Sequence, residues 1–282
     1  MISKAYAKIN LGLHIVGKRI DGFHNIETVF HRIDLYDEIN IENSDDISIS
    51  CNDISIPTDG NNLCWKAVEL LRKELGVGNG AKIEITKNIP TGAGLGGGSS
   101  DAAAMLLLLP ELWKMKVERT VIVKMALRLG SDVPYFLQDS TAYAEGRGEV
   151  LNQLDLSLPY WIVVIHPNIH LSTPWAYQKL AEKRKGIFPD RPGMLDAYSD
   201  DPLRAVLNSE NDFEEIVFEA HPKIKTIKTQ LKECGAVLSL MSGSGSSMFG
   251  LFSDMNSAKI AAELFKKEHF VHMTEPFFTL RQ

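Results

Sequence analysis

Pro90-Thr91-Gly92-Ala93-Gly94-Leu95-Gly96-Gly97-Gly98-Ser99-Ser100-Asp101 is the stretch on which the reading of this chain turns. Ahead of it, residues 81–85 carry strand-like character and run into Pro90. Beyond it, the unbroken apolar run 102–109 reads as a helix that Ser99 or Ser100 can cap. That run leaves no polar face, so burial on most sides is predicted, and Pro110 disfavours its continuation. A glycine loop in this position suits an anion. Without side chains the backbone approaches closely and adopts positive φ, several N–H groups converge on phosphate oxygens, and the helix N-terminus adds partial positive charge. Gly92, Gly94 and Gly97 also satisfy G-x-G-x-x-G, with Glu111 or Glu118 near the distance of a ribose-binding acid. Those glutamates fall in or beside a helix, however, and no opening βαβ unit precedes the loop. A Walker A loop is excluded because no Gly-Lys-Ser/Thr closes this one. The phosphate cradle stands, and its lysine must come from elsewhere.

Working outward, residues 5–15 and 37–42 alternate apolar and polar side chains, which predicts strands with one buried face. Asn61 and Asn62 precede a helical pattern that ends at Gly76. A further helix is predicted over 120–129, with Gly130 at its C′ position. Near residue 155 the character changes, and the apolar run 160–165 reads as a buried strand of a new sheet. The second half alternates predicted helices (174–184, 211–219, 222–234, 257–267) with predicted strands (236–241, 248–252, 277–280), an α+β pattern. Residues 186–202, rich in proline, read as an exposed excursion.

The chain has 282 residues, and about 150 per domain predicts two domains, here 1–155 and 156–282. A content of 44% hydrophobic and 23% charged residues excludes wholesale disorder. The formal charge of −6 lacks the positive field that a phosphate backbone requires, so no nucleic-acid partner is expected. Three widely spaced cysteines, Cys51, Cys64 and Cys234, suggest neither a disulfide framework nor a zinc site and fit a reducing cytoplasm. No membrane association is expected, because the longest apolar run is far short of the ~20 residues a span needs. The histidines His166, His170, His269 and His272 are scattered or paired without further ligands, and no metal is assigned to them.

Three separated motifs together resemble the GHMP superfamily of small-molecule kinases, which includes galactokinase, homoserine kinase and mevalonate kinase. They are the N-terminal AKINLGLHIVGKRIDGFH, the loop PTGAGLGGGSSDAA and the C-terminal MSGSGSSMFGLF, in the family's order across essentially the whole chain. AKINLGL with DGFH, the triple glycine and the later LGSDVPYFL are similar to the branch of that family whose substrate is a cytidine diphosphate-linked methylerythritol. The resemblance implies an N-terminal domain like the second domain of ribosomal protein S5 and a ferredoxin-like C-terminal domain. It implies ATP-dependent, Mg²⁺-assisted phosphorylation of a substrate hydroxyl in isoprenoid precursor synthesis, by a monomer or homodimer.

Carried onto this sequence, the resemblance makes Lys8 and Asp132 the catalytic pair, with Asp132 also touching substrate. Residues 90–100 hold the triphosphate, Gly94 to Ser100 most directly, and the Ser100 hydroxyl is a Mg²⁺ ligand. Phe23, His24 and Tyr177 take the cytosine, with Asn10 and Thr173 nearby. The Gly243-Ser244-Gly245-Ser246 loop closes against the phosphates. The chain departs from the family pattern at Phe23, where Tyr is frequent, and at Asp101, where Asn is common. Read on their own, Lys8 is a strand lysine, Asp132 a residue placed to cap a short helix, and Asp101 an acid favoured near a helix N-terminus. Phosphoryl transfer nevertheless calls for a proton acceptor and positive charge near the migrating group.

Overall fold

The computed structural model describes residues 1–280, and its contacts divide the chain into two compact units. The first takes Met1–Ala7, Leu35–Thr91 and Gly96–Asp139; the second takes Lys8–Asp34, Gly92–Leu95 and the described residues from Ser140 onward. This differs from the expected 1–155 and 156–282. The reason lies in two long strands, β1 (Ile2–Lys18) and β2 (His24–Ser44), which pair with each other and contribute residues to both units. A boundary sought along the sequence cannot register one strand whose two halves have different partners. Ala5, Ala7, Ile9, Leu11, Leu13 and Ile15 are buried as their alternation predicts, but Lys8 and Asn10 on the other face are buried too.

In the first unit, β3 (Ile47–Cys51) runs parallel to β4 (Gly80–Thr86). β4 in turn pairs antiparallel with the end of β2, from Glu38 opposite Thr86 to Ser44 opposite Gly80. Helix α1 (Leu63–Leu75) begins at Asn62, whose side chain accepts from the Cys64 N–H, and ends at Gly76 with φ 66°, as predicted. Helix α2 (Gly97–Leu112) packs on α1 and buries Ala102, Ala103, Met105, Leu106 and Leu109. It starts earlier than a serine cap predicts: its N-cap is Gly96, in a left-handed conformation at φ 75°. Pro110 lies in its last turn rather than ending it, and the terminal carbonyls of Leu109 and Pro110 are taken up by the N–H groups of Trp113 and Met115. Helix α3 (Arg119–Leu129) ends at Gly130, which is extended at φ 170° rather than left-handed, and a 3₁₀ turn follows at Val133–Leu137.

In the second unit, β5 (Ala142–Glu145) pairs with the beginning of β2 and with β6 (Val150–Gln153), both antiparallel. The chain then runs through β7 (Trp161–His166), α4 (Thr173–Arg184), α5 (Met194–Asp200), α6 (Pro202–Leu207), α7 (Glu214–Ala220), α8 (Pro222–Glu233), β8 (Leu238–Met241), β9 (Met248–Phe252), α9 (Met255–Phe265) and β10 (Phe270–Thr274). The sheet order is β10-β7-β9-β8, antiparallel throughout, which is the ferredoxin-like arrangement expected. Ile224, Ile227 and Leu231 of α8 and Ala258, Ala261 and Phe265 of α9 share one core with Val163, Ile165, Met248 and Phe252. Two expectations fail here. The last strand is residues 270–274, and 277–280 are irregular. The supposed excursion contains α5, which buries Met194 and Tyr198, with the Tyr198 hydroxyl donating to the Leu11 carbonyl at 2.7 Å.

His31 on β2 is buried with a ring nitrogen 2.7 Å from the Thr141 hydroxyl, and burial lowers its pKa from 6.5 to about 4. The folded value lies below the unfolded one, so this contribution is full above pH 6.5 and is lost as pH falls toward 4. His31→Gln should flatten that acid limb by about 3 kcal/mol, read from urea midpoints across the window.

Candidate functional site

The residues expected to act fall in both units. In the second, the loop segment Gly92–Leu95 meets β1 at Lys8 and lies against the 242–247 segment. The Lys8 N–H donates to the Leu95 carbonyl at 3.0 Å, the Ser242 hydroxyl to Gly94 O at 2.9 Å, and the Ser247 N–H to Ala93 O at 3.2 Å. Glycine is required at two places. Gly94 has φ 77° and any Cβ there would collide with the Ser242 carbonyl, while Gly243 has φ 58° with its Cβ direction 3.2 Å from Gly94 O.

The Lys8 ammonium, 3% exposed, sits beside this approach, 2.6 Å from Asn10 Oδ1 and 3.0 Å from Gly94 O. The Phe30 ring lies beneath it at 5.2 Å. Asn10 is oriented in turn by donating to the Thr28 hydroxyl at 2.7 Å, which donates to Gly12 O at 2.6 Å. Thus Asn10 belongs with Lys8 here. Asn211, which sequence reasoning missed, fixes the other wall by donating to the carbonyls of Met241 and Gly243 at 2.7 and 2.8 Å. No local pattern marks Asn211 or Thr28, because their partners lie far away in sequence.

Of the residues expected at the base, His24 and Tyr177 stack on each other with centroids 4.9 Å apart and 22° between planes. Phe23 is outside that stack and 52% exposed. Thr173 opens α4 with its hydroxyl 2.9 Å from that of Ser244.

In the first unit, α2 presents its free N-terminal amides after Gly96, and the Cβ direction of Gly97 points at Ile89 and at Lys87 Nζ, 3.2 Å away. The Ser100 hydroxyl does not cap the helix; it donates to Tyr6 O at 2.8 Å. Asp132 immediately precedes the 3₁₀ turn, half-buried, and its carboxylate does not cap it.

Beneath the helix start lies a charge cluster that no sequence motif marks. Lys87 bonds both Asp37 and, at 2.8 Å, Asp101. Asp37 also accepts the N–H groups of Asn88 and Ile89 at 2.6 and 2.8 Å. Asp101 therefore serves Lys87 rather than the helix terminus. Burial pushes its pKa up, Lys87 opposing and Asp37 adding, and its Oδ1 has no hydrogen-bond partner among the described residues. Among the described residues no group of three or more His, Cys, Asp or Glu could hold a metal ion, and no helix is long and apolar enough to cross a membrane.

A glycine loop leading into a buried helix, a buried lysine on the loop's carbonyl and a ferredoxin-like sheet define a phosphate-handling α+β protein. The models of the GHMP kinases N terminal domain and GHMP kinases C terminal match residues 62–140 and 201–270. A 4-diphosphocytidyl-2-C-methyl-D-erythritol kinase of Chlorobium phaeobacteroides (strain BS1) is 45% identical, covering 99% of this chain and 98% of that one. The chain belongs to the GHMP kinase family. It is also similar to a crystal structure of 4-(cytidine 5'-diphospho)-2C-methyl-D-erythritol kinase, 34% identical with a TM-score of 0.80 over 97% of this chain and 98% of that one. Homoserine kinase from Cytophaga hutchinsonii, 19% identical with a TM-score of 0.70 and 95% of each chain covered, shares the fold.

Gly94→Ala places a methyl group on the Ser242 carbonyl in a left-handed conformation. It should cut ATP-dependent turnover by about tenfold or more, measured as ADP release. Lys87→Met strands two buried carboxylates, and its urea denaturation should report a loss of about 3–5 kcal/mol.

Proposed function

We propose that the protein transfers the γ-phosphoryl group of ATP to a hydroxyl of 4-(cytidine 5'-diphospho)-2-C-methyl-D-erythritol, a step of isoprenoid precursor synthesis. The observation that carries this reading is the Lys8 ammonium on the glycine loop, in a chain 45% identical over 99% of its length to a relative named for that kinase. The backbone amides of residues 94–100 hold the phosphates, the closely approaching glycines and the α2 N-terminus supplying donors that need no side chain. Pro90 and Thr91 lead into that cradle.

Lys8 places positive charge where the migrating phosphoryl group develops negative charge. Held by two oxygens and a ring face, it is preorganised and loses little entropy when phosphate arrives. Asp132 orients the acceptor hydroxyl and receives its proton as the O–P bond forms. Phe23, His24 and Tyr177 receive the cytosine, for which the His24–Tyr177 pair must part or present an outer face. Thr173 adds a hydroxyl at the start of α4.

The donor set suits a Mg²⁺ ion held mainly by phosphate oxygens and water. The Ser100 hydroxyl donates its hydrogen bond to Tyr6 O, so its oxygen lone pairs remain for a cation. When bound there, the ion neutralises phosphate charge. The cysteines are unpaired thiols, in keeping with a reducing cytoplasm.

An ADP-coupled assay tests this. The wild type should release ADP only with the cytidylated substrate, and Lys8→Ala and Asp132→Asn should each lower kcat by about a hundredfold or more with the thermal midpoint retained. Normal turnover in either variant overturns that residue's role.

A further inference from the structure

Phe23 is a large apolar side chain kept half in water by a rigid mount, which core packing does not require. Its hairpin is fastened from within. The Arg19 N–H donates to Phe23 O at 2.8 Å and that of Gly22, at φ 85°, to Arg19 O at 3.2 Å. The Phe23 N–H donates to Asp21 Oδ1 at 3.1 Å. Arg19 Nε reaches both Asp21 oxygens at 3.2 and 3.0 Å, and its Nη1 reaches Asn25 Oδ1 at 3.0 Å.

The turn joining β5 to β6 is built toward the same ring. Its Gly148 N–H donates to Glu145 O at 3.1 Å, and Gly146 O accepts from the Ile26 N–H at 2.7 Å, just beyond the hairpin. Gly146 has φ 72°, and a Cβ there would meet the Glu149 carboxylate at 2.9 Å. Glu149 also accepts the Arg147 N–H at 2.5 Å and lies 3.8 Å from its guanidinium. So held, the Arg147 guanidinium carbon stands 4.6 Å from the centroid of Phe23. A planar, weakly hydrated cation suits such a face.

We propose that Arg147 is a specificity-determining positioning residue: stacked on one face of Phe23, it holds the ring ready to receive the pyrimidine base of a nucleotide-linked substrate. The inference rests on the reading above that Phe23 meets the base. Arg147 acts through the ring, so its contribution exists only while Phe23 is present.

The test combines Arg147→Ala, Arg147→Lys, Phe23→Ala and the double variant in the ADP-coupled assay, with CDP titrated calorimetrically and thermal midpoints recorded. Arg147→Ala should raise KM for the cytidylated substrate and Kd for CDP about three- to tenfold, leaving kcat, KM for ATP and the midpoint unchanged. Arg147→Lys should recover part of the loss. Phe23→Ala should raise the same two constants, and the double variant should match Phe23→Ala alone. An unchanged CDP Kd in Arg147→Ala, when Phe23→Ala weakens it, overturns the inference and leaves the base reading standing. Additive losses in the double variant overturn it, as does a fall in kcat and midpoint together. Unchanged CDP binding in Phe23→Ala overturns the base reading and the inference with it. A wild type that binds CDP but releases no ADP refutes the kinase reading alone, and the CDP constants still decide the role of Arg147.

Discussion

The site depends on two stretches of backbone meeting without side chains between them. Residues 92–95 and 242–247 come within hydrogen-bond range of each other at Gly94 and Ala93, and the Cβ that any other residue would bring to position 94 has nowhere to go. That approach also creates the socket for a buried ammonium. Gly94 O is shared between the Ser242 hydroxyl and Lys8, so the lysine's position follows from the path of the loop. A buried charge is tolerable only where oxygens are fixed to meet it, and the neighbouring Asn10, supported by Thr28, supplies one of them.

Two lysines compete for the role that the glycine loop leaves open, and their surroundings separate them. Lys87 stands immediately ahead of the loop in sequence but is occupied by the carboxylates of Asp37 and Asp101. Its charge serves to join β4, β2 and the start of α2. Lys8 is remote in sequence, and its ammonium meets Asn10 Oδ1 and the loop's own carbonyl at Gly94. Asp101 is accommodated at the helix start because it finds a cation in Lys87, although among the described residues its Oδ1 has no hydrogen-bond partner.

Local rules made much of the architecture legible. Asn62 and Gly76 bound α1, the apolar run identifies α2, and the apolar strands of the second half assemble in ferredoxin-like order. What sequence could not disclose was non-local. Ser100 reads as a cap until Tyr6 O claims its hydroxyl, and the stretch around Tyr198 reads as solvent until Leu11 O claims its phenol. β3 is short and polar on alternate positions, and only its partner β4 makes it a strand. At the site, the motifs pointed to Lys8 and the glycines, whereas Asn211, Thr28 and Arg147 acquire meaning only from groups more than fifteen residues away.

The two long strands that thread both units also set the order in which the chain can mature. Residues 8–34 leave the ribosome early, yet β5, which pairs with their part of β2, lies beyond residue 140. The growing polypeptide must therefore keep an apolar β-hairpin-forming segment waiting until the middle of the chain has been made, a situation that favours chaperone contact and slow consolidation. No cut at a single peptide bond separates the units into self-sufficient pieces, since each is stitched from three stretches of chain. Shuffling either half into another gene would carry away part of its neighbour's scaffold, which binds the two into one heritable module.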